Sequence, residues 1–180
     1  MKQILYVLGL AILLSTTFTS CKENSLDALR DYELETLDKY VKDNNLAEYK
    51  DDSGIYFKIL EPNPDTTALL IKKDFKVMLT LSTLQLDSTQ VFTLSTVDKN
   101  GQTFEEFPFY VDLSNDSPVQ QIAGLHIGLK KMHIGDRAMI LIPSELAFKA
   151  IDYSSTIGIP RFTSLLMYVY AKKGYAPVEN

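Results

Sequence analysis

Side chains able to do acid–base, nucleophilic or metal chemistry are few in this chain, and their spacing suits none of those tasks. His126 and His133 are its two histidines, seven positions apart. A zinc site needs about four ligands with short local spacing, so both read as surface residues. Asp51-Asp52 and Glu105-Glu106 are adjacent carboxylates, but no EF-hand spacing surrounds either pair. They read as solvated loop acids. The sequence contains neither a phosphate loop nor a Gly-x-Ser-x-Gly elbow. Gly124 and Gly128 have the spacing of a membrane-helix contact motif, yet polar residues flank them and exclude a span there.

The ends set the compartment. Lys2 gives a positive start, and Ile4–Leu14 is an apolar run of eleven residues. A helix spanning a bilayer needs about 20, so the run reads as a signal peptide and not as a transmembrane helix. Phe18-Thr19-Ser20-Cys21 resembles a bacterial lipobox, with Phe where Leu is usual. Cys21 is the single cysteine, so it has no partner for an internal disulfide, and a free exposed thiol is unusual in a secreted protein. Cys21 is therefore expected to carry palmitate-type acyl chains, each buried CH₂ adding about 0.8 kcal/mol of membrane affinity. Lys22 stands where an Asp commonly retains lipoproteins at the inner membrane. Lys22-Glu23 also resembles the start of a surface-export signal in Bacteroidota lipoproteins. The expected location is the outer membrane, on its periplasmic face or at the cell surface.

From Cys21 onward the chain has 160 residues, enough for one domain with its own core. Its formal charge moves from −5 to about −6 once Lys2 is removed. A mildly acidic protein without a basic cluster is a poor fit to nucleic acid, where phosphate neutralisation needs Lys and Arg. No repeat or low-complexity segment is visible. The expected organisation is a signal peptide over 1–20, a lipidated tether over 21–24, a helical segment over 25–50, a main domain over 51–173 and a tail over 174–180.

The elements follow from periodicity. Ser25 is placed to cap a helix running to about Asp43, with Leu26, Leu29, Leu34, Leu37, Tyr40 and Val41 within roughly 140° of arc. Glu33 interrupts that stripe. A helix of this length extends about 28 Å and could serve as a stalk, but its apolar stripe favours packing on the domain. Asn44-Asn45 is a natural stop. Strand formers then cluster over Gly54–Leu60, ending at Glu61-Pro62-Asn63-Pro64. Phe75–Leu86 alternates at Val77, Leu79 and Leu81, and Val91–Val97 is followed by the hairpin signal Asn100-Gly101. Thr103–Leu113 returns as a strand. Ile122, Leu125, Leu129 and Met132 switch to helical spacing, and Met139–Ile142 and Leu165–Ala171 are strands. Antiparallel strands with one short central helix make an α+β domain.

The most specific pattern runs from Gln121 to Ala171. Gln121-Ile122-Ala123-Gly124-Leu125-His126-Ile127-Gly128-Leu129-Lys130-Lys131-Met132 is followed by Gly135-Asp136-Arg137-Ala138. Then come Ile142-Pro143-Ser144-Glu145-Leu146-Ala147-Phe148-Lys149 and Ile159-Pro160. This order resembles the C-terminal half of an FKBP-type peptidyl-prolyl isomerase, with its Val-Ile-x-Gly-Trp-x-x-Gly-Leu-x-x-Met, Gly-x-x-Ala and Ile-Pro-x-x-Leu-Ala-Tyr-Gly runs. The resemblance covers roughly residues 53–172 and is strongest over 121–171. It implies an FKBP-like twisted antiparallel sheet wrapped on a short central helix, preceded by the N-terminal helix. Envelope lipoproteins of this family also carry a helix before a strand like Ser53-Gly54-Ile55-Tyr56.

The resemblance further implies a pocket. Phe92 and Phe109 fall at aromatic walls, Ile122 at the residue whose backbone amide meets a substrate carbonyl, and Ile159 at a flap. Phe148 keeps the ring of a family tyrosine but not its hydroxyl. Leu125 forms the floor, tryptophan in many active members, and Met167 stands where the closing strand has phenylalanine. Thr93 replaces an aspartate, and the strand tyrosine falls at Thr80 or Leu81 depending on register. The segment 94–106 is longer than the matching loop in minimal members. Peptide-bond rotation meets a barrier of about 18–20 kcal/mol, and each tenfold in rate needs about 1.36 kcal/mol of preferential transition-state stabilisation. The substitutions remove most polar handles and much aromatic surface.

The leading expectation is a lipid-anchored envelope protein of a Gram-negative bacterium. It would bind polypeptide through this apolar pocket, with catalysis weak or lost. One alternative is an active isomerase that helps exported proteins fold. Another is a structural subunit of an envelope assembly, docked through its N-terminal helix. None of these needs a cofactor or a metal.

Overall fold

The structure, a computed structural model, describes residues 24–87, 90–94, 107–113 and 117–177. The signal run, Cys21, the Asn100-Gly101 turn and Glu105-Glu106 lie outside the described residues. The first element, α1 (Asn24–Asp43), already includes Ser25, which therefore does not cap it. Its C-terminus closes as the asparagines predict. Asn45 is left-handed at φ 54°, a conformation asparagine tolerates better than most residues. Leu46 N–H donates to Val41 O at 2.9 Å and Asn45 N–H to Lys42 O at 3.2 Å. This bond pair defines a Schellman ending, and the accompanying apolar contact is present, since Val41 and Leu46 share one buried cluster.

The buried face of α1 differs from the apolar stripe in its sequence. Leu37 and Val41 are buried, whereas Leu26, Leu29 and Leu34 are exposed. Glu33, which looked like an interruption, lies on the covered face at 5 % exposure. Its Oε1 accepts hydrogen bonds from Ser144 N–H at 3.1 Å and from the Ser164 hydroxyl. A buried carboxylate is tolerated when donors replace its water. Those donors come from segments more than a hundred residues away, so local periodicity could not reveal them. An Arg30–Glu145 ion pair reinforces the same contact.

Among the described residues, six strands form one antiparallel sheet: β1 (Tyr56–Glu61), β2 (Lys76–Leu84), β3 (Gln90–Leu94), β4 (Phe107–Tyr110), β5 (Arg137–Ile142) and β6 (Leu165–Tyr175). The order is β1-β5-β6-β2-β3, and β4 also pairs with β2. Beta-strand side chains alternate between faces. Val77, Leu79 and Leu81, with Ala138, Ile140, Ile142, Leu165, Met167 and Val169, build one core cluster. Tyr56, Met139, Leu141 and Leu166 instead meet Leu37, Val41 and Leu46. The sheet is thus sandwiched: α2 (Ala123–Leu129) covers one face and α1 part of the other.

At seven residues, α2 is too short to persist alone and depends on tertiary packing. Ile122, Leu125, Leu129 and Met132 are fully buried in the larger cluster. Gly124 and Gly128 let its backbone approach the sheet, because a Cβ at either would collide with Ile142 or Ile140. The membrane-contact spacing is therefore a helix–sheet packing device. Among the described residues, no helix is long and apolar enough to cross a membrane.

Candidate functional site

The sheet brings six of the seven sequence-predicted pocket residues into one buried cluster. Phe109, Ile122, Leu125, Phe148, Ile159 and Met167 all belong to the α2-side cluster. Each is nearly or fully buried. For Phe92 the backbone register is described: it lies opposite Thr83. The same Thr83 lies opposite Met167 across β2 and β6. Register therefore places Thr83 between these two residues across the three strands. Thr80 pairs with Tyr170, and Leu81 with Val169.

Thr83 is the polar exception in this apolar setting. It is 0 % exposed, and its hydroxyl has no hydrogen-bond partner among the described residues. A second polar handle is also occupied internally. The Ile122 amide, which the resemblance aims at a substrate carbonyl, donates to Val119 O at 3.2 Å. That bond closes the 3₁₀ turn Pro118–Gln121 that feeds α2.

The flap side comes from the segment between β5 and β6. Tyr153 exchanges backbone hydrogen bonds with Ile159, Tyr153 N–H to Ile159 O at 2.9 Å and Ile159 N–H to Tyr153 O at 3.4 Å. The Tyr153 ring meets Phe148 edge-on with centroids 4.9 Å apart, a favourable quadrupole arrangement. Its hydroxyl lies 3.5 Å from Gln121 Oε1. Tyr153 was not among the predicted site residues. Its only sequence signal is local: Asp152 Oδ1 accepts Ser154 N–H at 3.0 Å, starting the short helix α3 (Ser154–Ile157) and so fixing the tyrosine just before it. Lys149, at the place of the motif's final glycine, adopts φ 53°. A lysine pays steric strain in that left-handed region that glycine avoids.

Polar residues brace the walls from outside. Gln120 lies along β4, accepting from Tyr110 N–H at 3.2 Å and donating to Leu113 O at 2.9 Å. His126 is more than a surface residue. Its Nδ1 accepts Asp112 N–H at 2.9 Å, so Nε2 carries the proton that reaches Gln120 O at 2.8 Å. Its ring also packs 4.7 Å from Phe109. With both nitrogens engaged, His126 holds the Phe109 wall in place, and Lys130 adds an ion pair to Asp112 at 2.8 Å. His133 stays exposed, 3.6 Å from Asp136. Asp51 pairs with Lys131 at 2.8 Å. Burial alone would raise its carboxyl pKa, but hydrogen bonds from Lys131 and Ser53 outweigh this and hold it below the usual value. Among the described residues, no three His, Cys, Asp or Glu side chains gather as a metal site.

This sheet and its short crossing helix define an FKBP-like fold. Residues 82–169 match the family model described as FKBP-type peptidyl-prolyl cis-trans isomerase. Over these residues the chain is similar to that family, and its fold is FKBP-like. Its fold is similar to that of FkpA from Escherichia coli, with TM-score 0.62 and 16 % identity, covering 96 % of this chain and 70 % of that one. It is likewise similar to a peptidyl-prolyl cis-trans isomerase from Pseudomonas syringae pv. tomato str. DC3000, with TM-score 0.58 and 17 % identity, covering 88 % of this chain and 99 % of that one. No curated protein matches the chain in sequence.

Proposed function

We propose that this protein is a lipid-anchored envelope protein whose FKBP-type domain holds polypeptide at the apolar pocket, with prolyl isomerisation weak or lost. The polar inventory of the pocket carries this reading. The Ile122 amide is already spent on Val119 O, Phe148 has no hydroxyl, and the buried hydroxyl on the strand beside Met167 belongs to a threonine, Thr83, much shorter than tyrosine. Apolar walls bind a prolyl segment by burying it. Acceleration needs contacts stronger in the twisted state than in the planar one, and few donors are left to make them.

The attachment rests on the sequence alone: the apolar run Ile4–Leu14 and the lipobox-like Phe18–Cys21. The outer membrane is the proposed location, and the polypeptide partner is a protein of that compartment.

The test is isomerisation of a short X-Pro peptide by the chain from Lys22 to Asn180. The expected kcat/KM is at least about a hundredfold below that of an active FKBP-type enzyme, equivalent to about 2.7 kcal/mol of lost transition-state stabilisation. A comparable rate that Phe148→Ala abolishes would establish the alternative, a working isomerase and folding helper. Cys21→Ser is expected to move the protein from the membrane to the soluble fraction. Retention in the membrane would refute the lipid anchor.

A further inference from the structure

A cavity of about 140 Å³ lies between α1, the turn after β2 and the segment before β6. It is separate from the apolar pocket and has different chemistry. Glu33 and Asp87 line it, and no basic side chain does. Tyr32 and Phe162 supply aromatic walls, while Thr36 and Ser164 supply hydroxyls.

Glu33 is the informative residue. It is 5 % exposed, and both of its donors, Ser144 N–H and the Ser164 hydroxyl, converge on Oε1. No donor among the described residues reaches Oε2. A carboxylate offers about four acceptor positions over its two oxygens, so half of a nearly buried anion remains available on the cavity wall. Neighbouring cations are engaged elsewhere. Arg30, one turn earlier on α1, pairs with Glu145 and lies 5.9 Å over the Phe162 ring, and Arg161 pairs with Asp152 at 3.7 Å.

We propose that this cavity binds a small primary ammonium group, which donates to Glu33 Oε2 and rests against the Tyr32 and Phe162 rings. Aromatic faces attract cations, more strongly when water is displaced, and a partly buried carboxylate gains from a charge-assisted partner. The volume corresponds to roughly four or five waters' share of liquid volume, enough for a short alkylammonium.

The probe is n-butylammonium, titrated into the full-length protein while backbone amide resonances are followed by NMR, with n-pentanol, one methylene longer, as a neutral control. Saturable shifts are expected at Thr36, Asp87 and Ser164 with n-butylammonium, at least tenfold weaker with n-pentanol. Glu33→Gln should weaken binding at least tenfold. Because that change also touches the α1 contact, Thr36→Phe is the second variant. It fills the cavity from the half-buried helix surface and should abolish the shifts while the thermal midpoint stays within error. Equal binding of n-pentanol, or undiminished binding by Thr36→Phe, would overturn the proposal.

Discussion

The two faces of the sheet handle polar groups in opposite ways. On the α2 face the inward strand residues are apolar except for Thr83, whose buried hydroxyl is unpaired. On the α1 face a full carboxylate, Glu33, is buried and receives two hydrogen bonds on one oxygen. The weaker polar group is thus left without a partner, while the one far more costly to bury is provided for. The α1 face uses polarity to join segments distant in sequence. The α2 face keeps polarity to a minimum within a closely packed apolar cluster.

The contrast can be broken most forcefully at Glu33. Replacing it by alanine strands Ser144 N–H and the Ser164 hydroxyl and should cost about 3 kcal/mol, given 1.5–3 kcal/mol for each hydrogen bond to a charged group. Urea unfolding measures this, and a loss below about 1 kcal/mol would mean that α1 is held by its apolar contacts alone. At Thr83 the expected sign reverses. Thr83→Val removes an unpaired hydroxyl at nearly constant shape and should stabilise the protein by about 1–2 kcal/mol. Destabilisation in the same measurement would show that the hydroxyl is bonded after all. The smallest expected effect is at Lys149. Lys149→Gly relieves the left-handed residue and should raise stability by about 1 kcal/mol, visible as an upward shift of the thermal midpoint. No change, or a fall, would mean that the lysine side chain offsets its backbone strain.

How much of this was legible depends on how local each signal is. Alternation at Val77, Leu79 and Leu81 and helical spacing at Ile122, Leu125, Leu129 and Met132 gave the correct faces, because one element fixes each pattern. The ends of β6 were less visible. The strand continues to Tyr175 beyond Ala171, past a register shift where Leu79 faces Ala171 and Met78 faces Lys173. A second shift separates Thr83 from Leu84 in the pairing with β3. Such bulges break residue counting, so the place of Thr83 between Phe92 and Met167 emerged only from the three-strand register. Glu33 and His126 were misread for a related reason: their partners, Ser144 and Ser164 for one and Asp112 and Gln120 for the other, are recruited by the fold. The motif run from Gln121 onward singled out Ile122, Leu125, Phe148, Ile159 and Met167 only through the family resemblance, since their types alone are those of any core.

The Glu33 contact has a mechanical consequence. It joins α1 to Ser144, just after β5, and to Ser164, just before β6, while Leu37 and Val41 press the next turns onto the sheet. Held at Glu33, Leu37 and Val41, the second half of α1 is clasped to the sheet like a tool in a vice, while the first turns, with Leu26 and Leu29 exposed, project from the clamp.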